Sequence, residues 1–414
     1  MSDLRRIAGM SLARGYGVVL SLATLFVSAR LLGPEGRGEF AAATAWAALF
    51  ATLCNLSLGQ ALQHRLQAAA SKPTLAQQLG TLGGLAAVLS ALALGIAAAL
   101  YVGTDGTLFR GIGPLAMLLA LATVPLLVWE QYASNIVAAA SQTGLLNKAQ
   151  YVGRTIGFAA FFLLVMYLGW GVAGALSAAL VGQLLVALLV AWPLYKMAGK
   201  SLHWLRHEVS PLLRSGLMIH LTTVSAFLLD QVSLLLINHH LSKPDVGYYQ
   251  LAQQMVALML IVPQSALMIV YGGLANSTPD AYWPRQRRLN WRLLGGLAGL
   301  ALAAWLLAPL AVPLVAGEAF APSVPLFRML LPTVLGISLS LLMTPQWISR
   351  GLLRVNTALT IATSVVVVGA SFWAIPLFGL DGAVWVRLGV YAVWVPLAQI
   401  VFWLWCNRQA ARSE

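Results

Sequence analysis

The sequence predicts an all-α polytopic membrane protein, with twelve transmembrane helices in two parallel-repeat six-helix lobes. Three observations carry that expectation. The 414 residues are 60% hydrophobic and only 9% charged, with a mean hydropathy of +0.82. A soluble domain carries about 25% charged residues, so this chain lacks the charged surface that would keep it in water. Apolar runs of about 20 residues, the length that crosses the hydrocarbon core, recur twelve times. Finally, the second half of the chain repeats marks of the first at a near-constant offset.

In order, the runs fall at roughly 7–32, 39–62, 78–102, 114–140, 151–168 and 172–195, then 213–240, 247–275, 293–316, 325–348, 356–376 and 382–405. Six plus six gives a first lobe over 1–195, a connection over 196–212 and a second lobe over 213–414. No connection is long enough for a soluble domain. The connection holds Trp204 between Lys200 and Arg206, a pattern that suits a short interfacial helix.

The repeat rests on several pairs. An offset of 209 puts Gly38 on Gly247, Arg14 on Thr223 and Ser21 on Asp230. Gly144-Leu145-Leu146 matches Gly351-Leu352-Leu353 and Pro125 matches Pro332 at 207, while Gly174-Ala175 matches Gly382-Ala383 at 208. An even number of helices per half makes both copies enter from one side, so the axis relating them runs along the membrane normal.

The net charge of +13 does not point to nucleic acid, because its placement follows topology. With a cytosolic N-terminus, Arg65, Lys72, Lys148, Lys196, Arg285 and Arg350 all fall on the inner side. The outer loops hold only Arg37, Arg110 and Lys243. That is the positive-inside bias, and it places both termini in the cytosol. Anionic phospholipid headgroups are a secondary partner for the same basic ends. Cys54 and Cys406 form neither a disulfide framework nor a zinc spacing. Val27-Ser28-Ala29 resembles a signal-peptidase site, but the first run has a full-length repeat partner at 213–240 and is expected to be retained.

Pro125, Pro263, Pro309, Pro332, Pro345 and Pro396 sit inside apolar runs. Each removes a backbone donor and favours a kink, which either improves packing or serves as a hinge. Catalysis finds little footing. There is no metal-ligand histidine spacing, nucleophile elbow or phosphate loop, and no pair of carboxylates on one helix face. No cofactor or metal site is expected.

What stands out instead is the small set of polar residues at membrane depth, which are costly to bury and therefore candidates for function. Ser11, Arg14, Ser21 and Ser28 form one stripe on the first helix. His220, Thr223, Gln231 and Asn238 form another on the seventh, with Asp230 at its edge. Two repeat-related stripes suggest a hydrated cleft between the halves. Arg14 either faces that cleft or snorkels to headgroups, and Asp230 either serves it or pairs with a base. The fourth run carries Glu130, Gln131, Ser134 and Asn135, which line a cavity or tie helices together. Arg387 lies one turn inside the outer end of the last run.

The stretches 31–67 (LLGPEGRGEFAAATAWAALFATLCNLSLGQALQHRLQ) and 227–255 (FLLDQVSLLLINHHLSKPDVGYYQLAQQM) resemble bacterial polysaccharide flippases of the Wzx type. These belong to the superfamily shared with multidrug and toxin extrusion transporters and the lipid II flippase. The resemblance implies two lobes around a central cavity and transport by alternating access. Its implied substrate is an undecaprenyl-pyrophosphate-linked oligosaccharide, an O-antigen, capsule or exopolysaccharide unit, moved across the inner membrane. Polymerase and chain-length proteins of the same pathway are candidate partners. On that reading Arg14 binds the pyrophosphate, and Asp230 and Glu130 hold cations or protons or line the sugar path. The rivals are a cation-coupled multidrug antiporter of the same fold and a membrane enzyme of glycan assembly. The latter would need a sizeable outer loop, which the sequence lacks.

Overall fold

The computed structural model describes residues 2–68, 73–140 and 142–413, with the side chains of 16, 19, 20, 22–66, 73–140, 142 and 144–411. Every regular element among them is helical. Eight helices are long and apolar enough to cross a membrane, or ten if each of two bent pairs is one span. Their outward faces carry Leu, Val, Phe and Trp side chains such as Leu118, Leu188, Leu310, Trp373 and Val401. In water that surface would be untenable; in lipid it is the expected exterior, with backbone polar groups satisfied inside the helices. The chain is a polytopic all-helical membrane protein.

By internal packing it divides into two compact units, Met1–Phe227 and Leu228–Glu414. The first contains α1 (Ser2–Asn55), α2 (Leu58–Ala68), α3 (Leu75–Gly103), α4 (Pro114–Leu121), α5 (Val124–Ala139), α6 (Thr143–Phe161) and α7 (Gly171–Met197). The division falls inside α8 (Arg206–His240). The second unit continues with α9 (Lys243–Met259), α10 (Ile261–Ala275), α11 (Pro279–Ala316), α12 (Ser323–Leu330), α13 (Thr333–Ser349), α14 (Leu353–Leu388) and α15 (Val395–Ser413).

Two of these helices are continuous only in name. At Gly33 the backbone of α1 turns to φ 65°, and at Gly379 that of α14 turns to φ 59°. Both values lie in the left-handed region that glycine enters without a Cβ penalty. Pro34 follows the first turn and lacks the N–H that would continue the ladder. The stretch Leu353–Ala411 has 59 residues, roughly 90 Å if straight. That is about three times the hydrocarbon thickness, so the turn at Gly379 is what lets it fit.

The internal repeat is visible in the helix breaks. The α4–α5 joint and the α12–α13 joint have the same layout, each an eight-residue helix, a two-residue break and a longer helix. The bounds of α12 and the start of α13 are those of α4 and α5 shifted by 209 residues. Pro125 and Pro332 sit at these joints, Pro263 beside the α9–α10 joint, and Pro396 at the start of α15. Four of the six predicted prolines thus mark helix joints, where a missing donor costs least. Pro309 and Pro345 remain inside α11 and α13.

Two expectations need correction. The connection holds no separate interfacial helix: residues 201–205 are irregular and run straight into α8. They are held against α3, with His203 N–H donating to Ala76 O at 3.1 Å and Leu205 N–H to Thr81 Oγ1 at 3.1 Å. Trp204 lies on Gly84, where a side chain would collide with its indole. Backbone satisfied by α3 has no need to form its own helix. Arg37, expected in an outer loop, is instead inside α1 and 3% exposed. Its guanidinium donates to Leu25 O at 3.2 Å and Ser28 Oγ at 2.9 Å, bridging the turn at Gly33.

Candidate functional site

In the second unit the polar residues gather around Asp230. Its carboxylate, on α8, is 3.5 Å from the guanidinium of Arg387 on α14, and Gln231 donates its amide to Oδ2 at 2.7 Å. Gln253 on α9 reaches back to the Asp230 carbonyl at 2.9 Å and to Oδ1 at 3.3 Å. Arg387 is buried and stands 5.4 Å from the centre of the Tyr391 ring, a cation–π contact. A charge taken out of water is tolerable only when paired, and here carboxylate and ring share that task.

Tyr391 belongs to a π-helical turn, Gly389–Trp394, between α14 and α15. Such turns displace side chains from the regular helical register and often mark functional sites. Here the turn aims Tyr391 and Trp394 at a cavity of about 250 Å³ whose wall includes Leu229, Thr344, Asn356, Thr363 and Gln399. The Trp394 indole donates to Thr363 Oγ1 at 3.1 Å. The ion pair therefore borders a partly polar cavity through Leu229 on one helix and Tyr391 on another.

Two polar clusters stand in the first unit. Where α1 gives way to α2, Leu56 and Ser57 have positive φ values of 48° and 51°, and Asn55 Oδ1 accepts the Ser57 N–H at 2.7 Å. The Ser57 hydroxyl lies 2.9 Å from Thr223 Oγ1 and 3.4 Å from His220 Nδ1. Gly216, His220 and Thr223 fall on one face of α8, and a Cβ at Gly216 would come within 2.5 Å of Leu56 O. Asn55 also donates to Gln131 Oε1 at 3.2 Å, and Tyr132 donates to Asn55 O at 2.6 Å. In the second cluster the Glu130 carboxylate accepts amides from Gln150 on α6, at 2.7 Å, and from Gln183 on α7. It ties three helices through a single acceptor group.

The polysaccharide biosynthesis protein family model matches residues 4–271, well over half of the chain. The chain belongs to that family. No curated protein sequence matches it. Among solved structures, the lipid II flippase MurJ in an inward closed conformation aligns at a TM-score of 0.71 with 12% identity, covering 97% of this chain and 90% of that one. An inward-facing multidrug resistance MATE family transporter of the MOP superfamily aligns at 0.63 with 16% identity, covering 96% and 94%. A point mutant of the Vibrio cholerae MATE transporter VcmN aligns at 0.58 with 15% identity, covering 99% and 97%. At such identities the likeness establishes the fold: this family member has the architecture of MOP-superfamily transporters.

In this polysaccharide-biosynthesis protein the candidate residues fall into separate clusters. Asp230, Gln231 and Arg387 come together in the second unit, with the Asp230 carboxylate 3.5 Å from the Arg387 guanidinium. Gln131, His220 and Thr223 gather around the 55–57 break in the first, and Glu130 stands in its own amide cluster. Asn135 donates its amide to Gln131 O at 2.8 Å within its own helix. The side chains of Arg14 and Ser21 lie outside the described residues. Sequence reading missed Ser57, Gln150, Gln183, Gln253 and Tyr391. Asn55 and Ser57 interrupting an apolar run were a usable signal; the glutamines, common at helix surfaces, were not.

Proposed function

We propose that this chain is a flippase carrying an undecaprenyl-pyrophosphate-linked oligosaccharide across the bacterial inner membrane by alternating access. The carrying observation is the family match over residues 4–271. It takes in the first half from residue 4 onward and the Asp230 segment. In this reading the chain crosses twelve times, α1 and α14 each dividing at their glycine turns. The lobes are 1–195 and 213–414, both termini are cytoplasmic, and Arg14 meets the pyrophosphate. Polymerase and chain-length proteins are pathway partners.

Glu130 and the Asp230–Arg387 pair have different roles here. Asp230 already has a cation within 3.5 Å, so it is a poor site for a second. Glu130 has neutral amide partners, which leaves its charge available to a proton or cation during transport. The chain is read as a transporter and not an enzyme, as its family and its fold relatives suggest.

The test is reconstitution in liposomes with a fluorescent undecaprenyl-pyrophosphate oligosaccharide in both leaflets, followed by an impermeant quencher. Working flippase should allow nearly complete quenching, against about half in empty liposomes. Quenching stuck at half, together with proton-driven efflux of an organic cation, would replace this reading with the multidrug antiporter.

A further inference from the structure

The first unit carries a second concave site that the transport reading does not use. A groove of about 530 Å³ is lined by Leu79 and Gly83 of α3, Trp129 of α5, Leu188, Ala191, Trp192 and Tyr195 of α7, and Leu202 of the connection. That volume falls within the roughly 300–1,000 Å³ typical of small-molecule sites. Its wall is almost wholly apolar: the Trp129 N–H is turned to Ala187 O at 3.4 Å, which leaves the hydrocarbon face of the ring to the groove. Leu202 brings the connection into the wall, and the segment is held to α3 by the His203 and Leu205 hydrogen bonds.

The mouth has a sign. Lys196 places its ammonium 5.0 Å from the Trp192 ring centre, on the groove wall itself. Lys200 follows one turn later, its N–H donating to Tyr195 O at 3.0 Å in a left-handed turn with φ 57°. Both side chains are exposed, and neither has an acidic partner among the described residues. The nearest carboxylate in sequence, Glu208, is taken by Arg65 at 2.8 Å. An apolar slot with one cation on its wall and a second on the turn that follows matches an amphiphile with an acyl chain and an anionic head. In a bilayer that description fits a phospholipid.

We infer that this groove binds one anionic phospholipid, its acyl chain between α3, α5 and α7 and its phosphate at Lys196 and Lys200. The slot differs from the general lipid-facing surface in having Leu202 of the pinned connection in its wall and the Lys196 ammonium against Trp192, another of its wall residues. The inference stands whatever the cargo of transport proves to be.

Native mass spectrometry of the purified full-length protein with dioleoylphosphatidylglycerol or dioleoylphosphatidylcholine tests it, since the two lipids share acyl chains and differ in head charge. One phosphatidylglycerol should be retained in preference to phosphatidylcholine. Lys196→Gln and Lys200→Gln should each weaken it about fivefold, as expected for one basic residue near a membrane surface. Gly83→Leu should weaken both lipids at least tenfold, because it fills the slot. A Cβ at Gly83 meets only the Trp129 ring, at 3.8 Å, so the variant should fold; an unchanged melting temperature checks this. Equal retention of both lipids, or undiminished phosphatidylglycerol binding by a folded Gly83→Leu protein, overturns the inference.

Discussion

Arg387 and Asp230 form an asymmetric pair: the groups are 3.5 Å apart, yet the arginine side chain is 9% exposed and the aspartate 58%. The acid can be rehydrated if its partner is lost; the base cannot. The Arg387 Nε is buried without a hydrogen-bond partner, so its positive charge already depends heavily on Asp230 and Tyr391. Breaking the pair should therefore cost far more from one side than from the other.

Asp230→Asn keeps an oxygen acceptor but removes the counter-charge of a buried guanidinium, and should lower stability by about 1–3 kcal/mol. Arg387→Met should be nearly neutral, since an apolar chain of similar length replaces a costly buried ion. Thermal melts of the two variants in one detergent check this. Equal losses, or a larger loss for Arg387→Met, would show that burial does not govern the pair.

Glu130 is a single acceptor serving two donors, Gln150 and Gln183. Glu130→Gln turns one donor–acceptor contact into donor facing donor, and should cost about 1–3 kcal/mol. The exchange Glu130→Gln with Gln183→Glu restores a donor–acceptor match at each contact and should recover most of that loss. If the exchange is no better than the single variant, the helices are not held through these hydrogen bonds.

The connection tests a different kind of contact. A Cβ at Gly80 would stand 2.5 Å from His203 O, and that backbone belongs to a segment held by its own hydrogen bonds. Gly80→Ala should lift residues 201–205 off α3 and free the backbone after the exposed Lys200 to enter the active site of trypsin, giving several-fold faster cleavage into two fragments. Cleavage at the parental rate would mean that the segment yields without detaching.

Much of this architecture was legible because it is written in local pattern. Apolar runs of spanning length and the shifted Pro125 and Pro332 gave the helices and the repeat. The irregular course of 201–205 was not legible, because Trp204 among basic residues also fits an amphipathic helix. Only Gly80 and Gly84, far back in sequence, make a groove that can take it. Asp230 was recognisable as a costly residue at depth, and a basic partner was one of two open readings. Naming Arg387 as that partner needed three dimensions, as did the role of Gln253, since neither contact leaves a spacing in the chain.

For Arg14 the proposed role predicts a graded response. Lysine keeps the charge but loses the planar fork that grips phosphate oxygens. Arg14→Lys should retain part of the flipping activity, while Arg14→Ala should abolish it at unchanged protein level. Full activity in a correctly inserted Ala variant would assign Arg14 to headgroup anchoring.

The π-helical turn links packing to the ion pair. The Tyr391 carbonyl is pressed against Gly336 of α13, where a Cβ would collide with that oxygen and stand 2.7 Å from the carbonyl carbon and 3.1 Å from Pro396 Cγ. Backbone cannot give way as a flexible side chain can, so Gly336→Ala should push the turn outward at a cost of about 1–3 kcal/mol. Moving the turn moves the Tyr391 ring, which supports Arg387 at 5.4 Å, and so loosens the grip of Arg387 on Asp230. A second variant at Asp230 then has less to lose. Gly336→Ala combined with Asp230→Asn should destabilise by clearly less than the sum of the two alone, whereas independent sites add to within about 0.5 kcal/mol. A double-mutant cycle on melting free energies measures the difference. Additivity within that margin would show that the turn and the ion pair are separate features of the unit, and that Tyr391 lines the cavity without holding Arg387 in place.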